Sequence, residues 1–125
     1  MVIALTLDSG RDLTIFSVKG ELTFEEQMEA LRQFYESAPT CNVIWDFRLL
    51  EGSRVSSDGL REIISFIKRH GKKRPGRGKT ALVSSTDLDF GLSRMSQVYA
   101  DQEKLLWRIE SFHSMEEAFD WIDSE

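Results

Sequence analysis

The chain is poor in the residues from which covalent and metal-based chemistry is built. Cys41 is the single cysteine in 125 residues, which excludes an internal disulfide and any site made of several thiolates. Histidine occurs only as His70 and His113, without the i, i+4 pairing of a helical zinc site. Positive charge is not in excess: 16 Lys and Arg against 21 Asp and Glu leave a formal net charge of -5, which argues against nucleic acid as a partner. Long apolar runs are lacking too. The opening MVIALTLDSG is apolar over about six residues and has no basic start, too short for a signal peptide or a membrane span, and no later segment reaches the required length. No activated nucleophile, metal cluster or paired acid and base is visible, so no catalytic residue and no cofactor is implied, and the expectation is a non-enzymatic protein.

What is present is a hydrophobic fraction of 41% in a length that suits one domain over 1–125, burying about two-thirds of its unfolded surface. The lone cysteine fits a reducing, cytoplasmic location. Two apolar runs at 2–7 and 13–18 flank DSGRD and read as an antiparallel hairpin. Thr23 and Glu26 form a capping box before a helix at about 24–37 carrying Phe24, Met28, Leu31 and Tyr35 on one face, with Pro39 beyond it. A strand at 43–47, a helix at about 57–70 closed by Gly71, and a strand at 79–84 follow. A third helix with Leu88, Leu92, Met95 and Tyr99 on one side, a strand at about 106–112 and a last helix capped by Ser114 and Glu117 complete the chain. The order ββαβαβαβα predicts an α/β fold with one five-stranded mixed sheet, mostly parallel, flanked by helices.

The stretch 43–60, VIWDFRLLEGSRVSSDGL, passes from apolar strand to helix through a short polar turn, and its serines open the helix where unpaired N–H groups and the dipole favour an anion. With SSDGL at Ser56 to Leu60, GELTFEE at 20–26, FGLSRM at 90–95 and SMEEAFDWI at 114–122, nearly the whole chain resembles the STAS family, the domain of anti-sigma-factor antagonists and sulfate-transporter tails. It looks most like a divergent bacterial branch grouped as STAS or SEC14-like. The resemblance implies a regulatory module that binds a protein partner, in some members under serine phosphorylation, with the phosphorylated serine falling on Ser57. The pattern departs from the family's: Ser56 stands where an acid normally precedes that serine, and Asp58 where a second serine follows it. On chemistry alone, Ser56 or Ser57 is a helix N-cap worth about 1 kcal/mol.

Other candidates have two readings each. Asp46 is expected at the carboxyl end of its strand, either as an acceptor that ties down the following loop or as part of a ligand crevice. Arg48 and Arg54 flank the turn and either receive an anionic group or are simply solvated. The segment 68–79, KRHGKKRPGRGK, holds seven of the 16 basic residues; GRGKT at 76–80 lacks the spacing of a phosphate loop and precedes a strand. It reads as a mobile, solvated connector in which replacing Lys72, Lys73 and Arg74 leaves stability unchanged. The stretch from Phe90 to Tyr99 is either a packing helix, with Leu92, Met95 and Tyr99 in the core and Gly91 permitting close approach to the sheet, or one that places Phe90, Arg94 and Gln97 on an exposed contact face or at the mouth of an apolar pocket. Cys41 reads as a half-buried apolar filler. The favoured function is a docking module that holds a partner protein through the turn and helix at 53–67, with a homodimer open. The alternative is a binding module for a lipid or other small apolar ligand between the sheet and the third helix.

Overall fold

The two apolar runs around DSGRD do fold back on each other. In the computed structural model of the chain, which describes residues 3–37, 39–75, 78–85 and 108–124, β1 (Ile3–Asp8) and β2 (Leu13–Leu22) pair antiparallel from Ile3 opposite Val18 to Asp8 opposite Leu13. The left-handed residue of the turn is Asp12, at φ 50°, and the Asp8 carboxylate accepts the Arg11 N–H at 3.3 Å. Helix α1 (Phe24–Glu36) starts at the expected capping box: Thr23 Oγ1 accepts the Glu26 N–H at 3.2 Å and donates to Glu26 Oε1 at 2.8 Å. Strand β3 (Asn42–Ser53), helix α2 (Ser57–His70), strands β4 (Lys79–Val83) and β5 (Arg108–Phe112), and helix α3 (Met115–Asp123) follow, α3 being capped by Ser114 as its sequence predicts. The predicted helix carrying Leu88, Leu92, Met95 and Tyr99 lies outside the described residues.

The five strands form one sheet in the order β1-β2-β3-β4-β5, antiparallel at β1 and parallel across the rest. Alternation sorts the side chains into two layers. Phe16, Val18, Val43 and Trp45 face α1 and α2, and Leu13, Ile44, Ala81 and Val83 face α3. On the first face Phe16 and Trp45, register partners across the parallel β2–β3 pair, stack with ring centroids 4.2 Å apart and planes within 8°. Phe34 of α1 meets Phe16 edge-on at 5.5 Å. Such ring pairs add about 0.5–1.5 kcal/mol each beyond the area they bury.

Two departures from the sequence reading concern length and charge. Strands β2 and β3 run well past the expected ends at 18 and 47, pairing from Lys19 opposite Leu49 to Leu22 opposite Ser53 through two shifts of register. Gly20 sits at φ 84° between those shifts, a conformation open to glycine. The basic segment, for its part, is anchored at two points rather than solvated throughout. Arg74 is only 7% exposed; it donates to the Cys41 carbonyl at 2.7 Å and Thr80 Oγ1 at 3.0 Å, and bonds the Tyr35 hydroxyl. Lys79 is 8% exposed, and its ammonium caps the end of α3 through the Trp121 and Ser124 carbonyls at 2.6 and 2.5 Å. Gly78 is required by contact and not by phosphate: a Cβ there would stand 1.6 Å from the Cys41 carbonyl oxygen.

The expectation that this segment tolerates replacement therefore holds for its exposed lysines alone. Lys72→Ala and Lys73→Ala are each expected to change stability by less than about 0.5 kcal/mol. Arg74→Ala, which strands buried acceptors of a charged donor, is expected to cost about 2–4 kcal/mol. Urea denaturation of the three variants checks the contrast.

Candidate functional site

The pairing of β3 with β4 ends at Asp46 opposite Val83, so the last part of β3 continues beside β2 alone and carries the chain out to the turn before α2. Asp46 is thus inside a strand and not at its end, a correction that follows from the extra length of β3. Its carboxylate is engaged by Arg48 of the same strand: Nε to Oδ1 at 2.9 Å, Nη2 to Oδ2 at 3.0 Å, and the Arg48 N–H to Oδ1 at 3.1 Å. This bidentate partner holds the guanidinium pKa above its ordinary value. The acceptor role expected of Asp46 is present, but its partner is Arg48 and not the loop to α2. Arg54 pairs with Glu21 of β2, both ends exposed, a contact of small energetic weight.

The turn itself is fixed by local bonds. The Arg54 N–H donates to the Leu22 carbonyl at 2.8 Å, and the Val55 N–H to Ser53 Oγ at 3.2 Å. Ser56 is the N-cap: it is extended, at φ -75° and ψ 169°, and its hydroxyl accepts the Gly59 N–H at 3.0 Å. Gly59 lies close under Phe24, the first residue of α1, where an added Cβ would come within 3.2 Å of the ring and 3.3 Å of Ser56 Oγ. The start of α2 is therefore seated on the start of α1. Ser57 and Asp58 are the first two residues of α2, and both are exposed. Among the described residues no group bonds the Ser57 hydroxyl.

Of the residues singled out from the sequence, Ser56, Ser57 and Asp58 share this helix start, with Arg54 two residues before it; Asp46 and Arg48 form a separate pair inside β3. Phe90 and Arg94 lie outside the described residues, as does the helix against which an apolar ligand was expected. On the α1–α2 face of the sheet the void beside Phe16 and Trp45 measures about 20 Å³, far below the few hundred needed for a small-molecule site. Burial, with Asp12 adding to it, pushes the Cys41 thiol up, away from the reactive thiolate. Among the described residues no three His, Cys, Asp or Glu side chains are placed to hold a metal, and no helix is long and apolar enough to cross a membrane.

This arrangement of sheet and helices is matched by solved structures. The chain has a SpoIIAA-like fold of STAS type. The anti-sigma factor antagonist SpoIIAA in its unphosphorylated form superposes over 98% of this chain and 99% of its own with a TM-score of 0.60, at 14% identity. The Bacillus cell fate determinant SpoIIAA in its phosphorylated form covers 96% of this chain and 98% of its own, with a TM-score of 0.57 at 14% identity. A DUF3478 family protein with a SpoIIAA-like fold from Shewanella loihica PV-4 is 18% identical, covering 96% of this chain and 91% of its own, at 0.57. No family model matches the sequence, and no curated protein matches it either.

Because the cap is made by Ser56, the two serines separate energetically. Ser56→Ala is expected to cost about 1 kcal/mol, whereas Ser57→Ala should stay within about 0.5 kcal/mol, which corrects the cap value that either serine could claim from sequence. Thermal unfolding of both variants measures the difference.

Proposed function

We propose that this chain is a non-enzymatic regulatory module that docks a protein partner through the turn and helix at 53–67, with Ser57 as the residue whose charge state governs docking. The observation that carries this reading is the exposed Ser57 hydroxyl in the first turn of α2, on a helix start already capped by Ser56 and seated on Phe24. Support comes from the likeness in fold to SpoIIAA, an anti-sigma factor antagonist known in unphosphorylated and phosphorylated forms. A phosphate on Ser57 would add close to two negative charges where the helix dipole favours them, beside an exposed Asp58 that repels them. The net effect falls on the surface a partner meets rather than on the helix.

The test is affinity capture from a lysate of the source cell with three baits. The parent and Ser57→Ala chains are expected to hold one common partner equally, and Ser57→Asp to hold it about tenfold more weakly. Equal capture by all three baits would reject the turn as the docking surface.

A further inference from the structure

Natural sheets guard their edge strands with lysine, proline, bulges or a covering element. Among the described residues strand β1 has none of these along Ile3 to Leu7: its register with β2 is unbroken, the sequence IALTL holds no charge and no proline, and no strand pairs with its outer edge. Leu5 and Leu7, one strand period apart on the face that carries α1, are 40% and 65% exposed. Beside them a groove of about 240 Å³ runs between β1 and α1, floored by Ile3, Leu5 and Ala30 and rimmed by Glu25, Glu26 and Glu29. An apolar edge of this kind is a site for strand addition, in which main-chain bonds give affinity and side-chain pockets give choice.

The rim decides the occupant. A second copy of the chain docked edge to edge would bring identical surfaces together, since a two-fold contact is isologous, and would set the three carboxylates of one rim against those of the other. No residue of β1 is basic. Among the described residues Glu25 has no cationic partner, while Glu29 shares Arg32 in an exposed pair at 3.2 Å. We infer that the outer edge of β1 takes up an extended segment of a partner protein, aliphatic on the side facing Leu5 and flanked by Lys or Arg that reach the Glu25–Glu29 rim. This inference rests on the edge of β1 and the groove beside it, and does not depend on the role given to Ser57.

The probe is the synthetic peptide KKVTVTVKK, titrated into the isotope-labelled full chain and followed by amide shifts. Shift changes confined to Ile3–Asp8 and Phe24–Gln33 are expected, with EEVTVTVEE and KKSTSTSKK each binding at least about tenfold more weakly. Leu7→Lys and Glu25→Lys replace exposed side chains, so each should keep the parent's melting temperature and weaken the peptide about fivefold or more. Equal binding of the three peptides, shifts centred outside β1 and α1, or no binding at millimolar peptide would overturn the inference. So would concentration-dependent dimerisation through β1 without peptide, which would assign the edge to a second copy.

Discussion

The stack of Phe16 on Trp45 is the contact on which the rest of the structure depends. It joins neighbouring parallel strands at one register position, and both rings are nearly or wholly buried under Phe34 and the surrounding apolar side chains of α1 and α2. Because side chains alternate along a strand, a slip of one residue would turn Trp45 to the α3 face and Ile44 to the α1 face, where neither volume fits. With β2 and β3 locked there, the stretch from Lys19 opposite Leu49 to Leu22 opposite Ser53 projects in a fixed direction, and it ends where the turn into α2 begins.

The other end of the sheet is held by charge. Arg74, Lys79 and Asn42 each span elements remote in sequence: Arg74 to Cys41, Lys79 to the last turn of α3, and Asn42 to both the Arg11 carbonyl and the Lys79 N–H. Arg11 completes this end by bonding Asp8 and Asp123 while lying 4.7 Å from the Phe119 ring centroid. A chain with one cysteine has no covalent means of closing such contacts, and here buried basic side chains on backbone carbonyls close them.

The features legible in the sequence were those decided within a few residues. The capping boxes at Thr23 and Ser114, the helix start at SSDGL and the alternation of the first two strands depend on local bonds, and the structure has each in place. The length of β3 was not legible, because Arg48, Glu51 and Gly52 break the apolar pattern; Arg48 and Glu51 fall at the two register shifts, and the strand is continued by the pairing of Leu49, Leu50, Gly52 and Ser53 with β2. The burial of Arg74 escaped for a similar reason: its acceptor at Cys41 is 33 residues away, so that a cluster of charges gave no sign of which member turned inward. The open edge at Leu5 and Leu7 depends on how far α1 covers the sheet, which periodicity does not encode.

The proposed switch at Ser57 stands apart from the scaffold: the sheet fixes where the turn lies, Ser56 and Phe24 fix how α2 starts, and the exposed Ser57 takes part in neither. The most direct test is the amide spectrum of the chain carrying phosphoserine at position 57, compared with the unmodified chain. The expected result is shift change restricted to about 53–61 and the facing start of α1, with the Trp45 indole and the amides of Phe16 and Ile44 unmoved. Changes spreading through α2 into β3, with loss of the Trp45 ring-current shifts, would contradict the separation and show that charge at Ser57 acts by remodelling the fold.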